Sequence, residues 1–376
     1  MGKTLKYLLI GLVAVFGLLI AAIIIFSLTF DPNDYRDRIA QAAKEATGRD
    51  LVIEGDLGVS LFPWLAVEVG RTQLGNAEGF GPEPFATFES AALSIRLMPM
   101  LLRREVEVGK ASLEGLRLNL AVAADGRNNW DDLAEGGEAP AGDEAAGEGP
   151  ASLGIGRIEV IDAALTYVDA QAGTTYRLTG LNVGTGAIRE GEPVDVEAGF
   201  AFSAEPDAMA GTVELDAVLA QDGDVISLAD VVLALAMTGE TPLNLELRAP
   251  LIGADLANSI ASPGELSFRA FDVSGKATVE PFSWAGDITP TVTLAVDAFS
   301  PRSLMQALAI EAPETADPDA LGKLVLDAKA VVGTSDIRLA DVVMTLDDTR
   351  FTGSFVWPLD PAGMIRMNLA ADSINL

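Results

Sequence analysis

No histidine and no cysteine occur in the 376 residues of this chain. Their absence removes Ser-His-Asp and Cys-His triads, His-ligated zinc, thiolate metal centres and disulfide frameworks together. Cysteine-free composition fits an exported protein that avoids stray oxidation and fits a cytosolic one equally, so it does not place the compartment. Basic residues are scarce: 25 Lys and Arg stand against 55 Asp and Glu, a net charge of -30. Phosphate backbones are bound by Lys and Arg, so a chain with pI near 4.2 is not expected to have a nucleic-acid partner. Aromatic residues make up 6%, too few for the two aromatic girdles of a transmembrane β-barrel.

Long hydrophobic runs are also missing, with one exception. Tyr7 to Phe30 reads YLLIGLVAVFGLLIAAIIIFSLTF, twenty-four residues without a charge. As a helix it is about 36 Å long, enough to cross a hydrocarbon core of about 30 Å with some tilt. The competing reading, a cleaved signal peptide, is disfavoured because such apolar regions run to about 15 residues and close on small residues, whereas this one closes on LTF. Lys3 and Lys6 precede the run, but Arg36, Arg38, Lys44 and Arg49 come soon after it, so counting basic residues does not favour an inside N-terminus. Long downstream domains translocate largely regardless of charge, which favours residues 1–6 inside, 7–30 as a transmembrane anchor and the remainder exported.

The chain is apolar enough to bury a large surface: 49% of residues are hydrophobic and mean hydropathy is +0.31, which sets it apart from an acidic disordered tail. DPNDYRDRIAQAAKEATG predicts a short helix, with Asp31 as N-cap, Pro32 in the first turn, Gly48 as the left-handed stop, and Tyr35, Ile39, Ala42, Ala43 and Ala46 as its apolar stripe. Beyond Gly48 the hydrophobic period changes to two. LVIEGDL, ESAALSIRL, REVEV, LRLNLAV, RIEVIDAALTYVD, TYRLTGLNV, VDVEAGFAFS, GTVELDAVLA, LNLELRA, ELSFRAFDVSG, PTVTLAVDAF and KLVLDAKAVV succeed one another between Gly, Pro, Asp and Asn, and predict strands joined by short turns. Ala91, Leu93, Ile95 and Leu97 share one face of their strand, and Leu116, Leu118, Leu120 and Val122 share one face of theirs. An antiparallel sheet with one apolar face needs a cover: a second sheet, a helix or a ligand. A closed sandwich core and an open apolar trough fit the alternation equally.

Other candidate chemistry is weak. Residues 135–150, EGGEAPAGDEAAGEGP, form an acidic low-complexity linker without D-x-D-x-D-G spacing, so no metal site is expected. Asp131 with Asp132, and Asp347 with Asp348, are adjacent pairs that would point to opposite faces of a strand and cannot share a proton. Turn or edge carboxylates account for them better. GTGAIREG lacks the Lys of a phosphate loop, and Arg103 and Arg104 are too few to signal anionic lipid. A further short helix is predicted from about Ser303 to Ile310. No catalytic, cofactor-binding or metal residue can be assigned.

Phe30 to Leu133 carries a set of segments that closely resembles the N-terminal domain of the AsmA family of bacterial envelope proteins: the preceding anchor, GRDLVIEGD, SLFPWL, LGNAEGFG, PEPFATFESA and ADGRNNWDDL. GRIEVIDAALTYVD and TLDDTRFTGSFVW look like recurring strand segments of the same family. The resemblance implies a single-pass inner-membrane protein with a cytoplasmic N-terminus. The bulk of the chain would be periplasmic, with an AsmA-like domain at 31–134, the linker at 135–150 and a continuing sheet at 151–376. It also implies a mainly β fold, one short capping helix and a long curled antiparallel sheet with an apolar interior. The chain is shorter than the family's usual length, and its DSINL ending looks like the start of a further strand.

The family is regarded as bridge-like lipid-transport machinery associated also with outer-membrane assembly. The partners implied are therefore phospholipid, the inner-membrane bilayer and outer-membrane or envelope proteins, with Ala91, Leu93, Ile95, Leu97, Leu116, Leu118, Leu120 and Val122 as lipid-contacting candidates. Acyl chains would lie along the inward residues and headgroups would stay wet, with no enzymatic activity and no cofactor. The alternative is a scaffold for outer-membrane protein insertion working through exposed sheet edges. An enzyme using carboxylates alone is a further class, but no separated Asp/Glu pair stands out.

Overall fold

The computed structural model describes residues 30–60, 64–96, 106–135, 153–189, 191–206, 208–239, 242–286, 288–315, 317–360 and 363–372. The anchor (apart from Phe30), Leu97, the Arg103–Arg104 pair and the linker beyond Glu135 lie outside them. Among the described residues no helix is long and apolar enough to cross a membrane. The fold is mainly β, with few helices, and the chain divides into two compact units between Thr175 and Tyr176.

The first unit opens with a 3-10 turn, Pro32–Tyr35, and α1, Arg36–Thr47. Asp31 caps the turn by accepting from the Asn33 N–H, and Gly48, at φ +72°, closes α1 with its N–H on the Lys44 carbonyl. These ends obey the capping chemistry written in the sequence. The side of the helix that meets the sheet does not. Arg36, Ala40, Ala43 and Thr47 are the half-buried positions, whereas Tyr35, Ile39, Ala42 and Ala46 are exposed. Of the expected apolar stripe only Ala43 turns inward. Polar contacts accompany this rotation: Asn33 Oδ1 accepts from the Leu57 N–H at 2.9 Å, Arg36 pairs with Asp56 at 2.9 Å, and Lys44 pairs with Asp50 at 2.6 Å.

The strands of this unit are β1 (Leu51–Ile53), β2 (Leu57–Ser60), β3 (Trp64–Val69), β4 (Thr72–Leu74), β5 (Ala86–Phe88), β6 (Ser90–Arg96), β7 (Val106–Glu114), β8 (Arg117–Val122), β9 (Leu153–Ile155) and β10 (Ile158–Asp169). They pair as long strands broken at one level. β2 and β1 run beside β3 and β4, which run beside β6 and β5, which run beside β7 and β8. At the break the N–H groups of Glu54 and Gly55 both donate to the Arg71 carbonyl, Glu89 N–H donates to Glu114, and Gly115 N–H donates to Ile161. A Cβ on Gly55 would lie 2.2 Å from the Arg71 nitrogen, which only glycine avoids. Gly115 and Asp162 take the left-handed conformation at the same level, with φ of +67° and +49°. Arg117 holds Asp162 there through an ion pair at 2.6 Å.

The expectation of a purely antiparallel sheet is corrected in this unit. β10 runs parallel to β7 and then to β8, and β9 runs parallel to β7. A parallel return needs a long connection, and the stretch between β8 and β9, including α2 (Asp131–Glu135), is long enough to bring the chain back.

The second unit begins within β11 (Thr174–Thr185) and continues with β12 (Val194–Glu205), β13 (Met209–Asp222), β14 (Val225–Thr238), β15 (Leu243–Asp255), β16 (Ile260–Ser262), β17 (Gly264–Ala270), β18 (Val273–Val279), β19 (Phe282–Ser283), β20 (Thr291–Phe299), α3 (Pro301–Ala307), β21 (Leu324–Val332), β22 (Asp336–Leu346), β23 (Thr349–Pro358) and β24 (Arg366–Ala371). From β12 to β24 every pairing is antiparallel. The expected helix at Ser303–Ile310 forms two residues earlier, capped by the Ser300 side chain on the Ser303 N–H.

Two hairpins of this unit share one design. Asp216-Ala217-Val218 faces Ala229-Asp230-Val231-Val232, and Asp327-Ala328-Lys329 faces Ala340-Asp341-Val342-Val343. In each, one buried alanine opposes two residues, an aspartate at φ +50° or +51° and a buried valine. Aspartate tolerates the left-handed region better than a β-branched residue, and the small alanine lets the bulged strand close over it. Ala217, Val231 and Ala249 form the buried core beside the first bulge.

Candidate functional site

The candidates of β6 fall into register with apolar residues of their neighbours. Leu57, Val69, Ala91, Leu113 and Val160 form one row across five strands, and Val59, Val67, Leu93, Ala111 and Ile158 form the next row on that face. The residues between them are of another kind: Glu68, Ala92, Ser112 and Glu159 form the intervening row, in which Glu159 binds Lys110 at 2.6 Å. This hydrogen bond holds the Glu159 carboxyl below its usual range. Alternation has therefore produced a sheet with one apolar and one charged face. Residues of the apolar rows, Ala91 and Leu93 among them, line an open cleft of about 450 Å³, with Ala92, Ser112 and Glu159 of the row between also reaching it. Val67 and Leu93 stay 47% and 45% exposed, so no other element among the described residues covers this cleft. Ile95 sits beyond it, opposite Leu65 and Val108.

The β8 candidates lie on the other side of the strand break and do not join that cleft. Leu118 belongs to a row of its own, Leu51, Leu74, Ala86, Leu118 and Leu165, while Leu120 stands opposite Tyr167 and Val122 opposite Asp169. Leu116 is half-buried at the break, where its carbonyl accepts from the Ala164 N–H. Leu97 lies outside the described residues.

In the second unit one row runs through eleven strands without a charge: Ala198, Leu215, Leu233, Leu247, Phe268, Gly275, Val296, Leu326, Met344, Phe351 and Ala371. The adjacent row through the same strands carries Glu197, Asp216, Arg248, Lys276 and Asp327. Charged side chains on that face pair locally, as Lys276 does with Glu265 at 3.0 Å. Gly275 is needed where it stands, because a Cβ there would lie 2.7 Å from the Phe268 ring. A cavity of about 640 Å³ opens among Glu214, Glu246, Arg269 and Ala307. Its lining mixes these charged groups with Leu235, Leu245 and Phe271.

A polar knot in the first unit escaped the sequence reading. Arg49, only 4% exposed, donates from Nε to Asp132 at 2.9 Å and from Nη2 to the Asn129 carbonyl at 2.7 Å, and its guanidinium lies 4.5 Å from the Phe85 ring centre. Asn129, fully buried, accepts from the Ala121 N–H and donates to the Asn119 carbonyl and to Asn76. The Arg49 hydrogen bond holds the Asp132 carboxyl below its ordinary range. Asp131 and Asp132 thus start a short helix, and Asp132 is an ion-pair partner of Arg49. Asp347 is a turn residue, as expected, whose carboxylate accepts the N–H groups of Lys323, Leu321 and Gly322 and is held low by them, Lys323 first. Among the described residues no group of three or more Asp or Glu is placed to hold a metal ion.

Amphipathic sheets with partly buried apolar rows and a buried polar knot at the first helix define a β-rich protein whose apolar sheet surface stays exposed at Val67 and Leu93. The chain belongs to the AsmA family, a membrane-associated envelope family, which matches residues 1–294. No curated protein and no solved structure gives a match.

Proposed function

We propose that this protein is anchored in the inner membrane, extends into the periplasm and shields phospholipid acyl chains on its apolar sheet faces during lipid transport between inner and outer membranes. The observation that carries this reading is the uncharged register row through eleven strands, flanked by a charged row one residue away. Exposing an acyl chain to water costs about 0.8 kcal/mol per CH₂, so a sixteen-carbon chain faces a barrier on the order of 12 kcal/mol. A continuous apolar surface lowers that barrier at every step. Headgroups remain in water, and the charged face keeps the protein soluble. Shielding needs no covalent step, so the protein acts without enzymatic activity or cofactor.

The second reading, an assembly scaffold for outer-membrane proteins, draws on the exposure of Met364, Ile365 and Met367 at and just before β24, at 84%, 49% and 68%. Site-specific photocrosslinking in a bacterial envelope separates the two. Photoreactive residues at Leu93 and Leu233 should yield phospholipid adducts, and residues at Glu68 and Lys276 should yield none. Protein adducts at Met367 with lipid adducts absent from the apolar rows would replace the lipid reading by the scaffold.

A further inference from the structure

The apolar stripe of α1 is the surface that the first unit leaves unused. Tyr35 and Ile39 are each 43% exposed, and Ala42 and Ala46 continue their line along the helix. The stripe has the same spacing as the sheet-facing positions but is rotated by about 100° around the helix. Asn33, Arg36 and Lys44, which lie outside the stripe, make polar contacts to the sheet and its loops. At its start the Phe30 and Tyr35 rings lie 5.7 Å apart, and Phe30 is the last residue of the twenty-four-residue uncharged run. Arg38, with its guanidinium 5.7 Å from the Tyr35 ring centre, borders the stripe.

We infer that α1 is an interfacial helix, seating Tyr35, Ile39, Ala42 and Ala46 among phospholipid headgroups of the membrane from which the chain emerges, with Arg38 at the phosphate level. This rests on the membrane-anchored part of the proposed function and not on its lipid-shielding part. The bilayer is the occupant because the stripe begins five residues after a run long enough to span it. A surface tethered so closely meets lipid at high effective concentration before any partner arrives from solution. A helix of twelve residues, about 18 Å, is long enough to lie in the plane of the interface. Seated there, it would fix the first unit's sheet against the membrane through Asp56 and Leu57.

The absence of cysteine makes the test direct, because one introduced thiol is a unique label. The full chain carrying Ile39→Cys, or Gln41→Cys on another side of α1, is labelled with an environment-sensitive fluorophore. It is then reconstituted in vesicles of phosphatidylcholine and phosphatidylglycerol, and flotation is scored in the same samples. The expected result is co-flotation, with emission at position 39 shifted to the blue and quenched by spin-labelled lipid about twofold or more beyond position 41. Co-flotation with equally aqueous labels at both positions overturns the interfacial helix and leaves the anchor standing. A blue shift at position 39 without lipid quenching assigns the stripe to a protein partner and also overturns it. Failure to float removes the anchor and the inference together.

Discussion

The two units solve the same problem, a broad sheet with one apolar face, by different means. In the first unit every described residue that is polar or charged and buried, Arg49, Thr72 and Asn129, sits near the broken strands and the helix. In the second unit the buried side chains are alanines and valines, with Pro301 at the start of α3, and left-handed aspartates mark the two matching bulges at Asp230 and Asp341. A mixed sheet with a helix on its margin has loop backbone to satisfy, and a buried guanidinium and carboxamide do so with fixed directions. A regular antiparallel sheet satisfies its own backbone and needs only small residues where it bends.

The largest expected effect tests the knot. Arg49→Met removes the donors to Asp132 and Asn129 and should cost the first unit about 3 kcal/mol. Urea melting monitored at Trp64 or Trp130, with the other three tryptophans replaced by Phe, should show this loss. The same experiment at Trp284 or Trp357 should barely move, and equal shifts in both units would break the comparison.

The second unit should instead be sensitive to volume. Ala217→Leu and Ala328→Leu overpack the two bulges and should each cost about 1–3 kcal/mol, with similar values because the hairpins share a design. A large difference between them, by the same melting assay, would show that the resemblance ends at the backbone. Next in size, Asp230→Val forces a β-branched residue into the left-handed region and should cost about 1–2 kcal/mol, while Asp230→Gly should stay within about 0.5 kcal/mol of the parent.

Acid separates the units more finely. Asp132 and Asp347 are both held below the ordinary carboxylate value by their partners. The stability each contributes is therefore complete above about pH 4 and is lost as pH falls through its depressed folded-state value. Melting between pH 6 and 8 should be flat with respect to both. Arg49→Met should abolish the acid-side contribution of Asp132 and leave that of Asp347 intact.

The smallest effect on stability is expected where the functional effect is greatest. Leu93→Asp replaces a side chain that is 45% exposed and should change stability by less than about 1 kcal/mol. The lipid adducts expected from a photoreactive residue at Val67 beside it should disappear. A folded Leu93→Asp protein that still yields them would remove this cleft from the lipid path.

The period of two in LRLNLAV and ESAALSIRL was enough to place strands, and β6 and β8 form there, with Ala91, Leu93 and Ile95 alternating along the one and Leu118, Leu120 and Val122 along the other. Where the period failed, so did the reading. VISLADVVLALAMT shows no clear period of two, because Ala229, Ala234 and Ala236 fill the second face and hide the alternation, yet it is β14, one of the two longest described strands. LVIEGDL reads as one strand, but Gly55 breaks it. The stripe of α1 was legible, and the direction it faces was not. Arg49 and Asn129 lie in segments quoted for their family likeness, GRDLVIEGD and ADGRNNWDDL, but nothing local marks them as buried partners eighty residues apart.

By itself the sequence determined what is set by neighbours along the chain: the caps of α1, the prevalence of strands, the amphipathic alternation and the absence of His and Cys chemistry. Those come from backbone geometry and side-chain type over a few residues. Tertiary structure alone decided the parallel return of β10, the common level of the strand breaks, the separation of the β6 and β8 candidates, the polar knot and the outward stripe of α1. Each of these depends on which distant backbone groups are left to pair once the strands are in register, and that choice is made by the whole sheet.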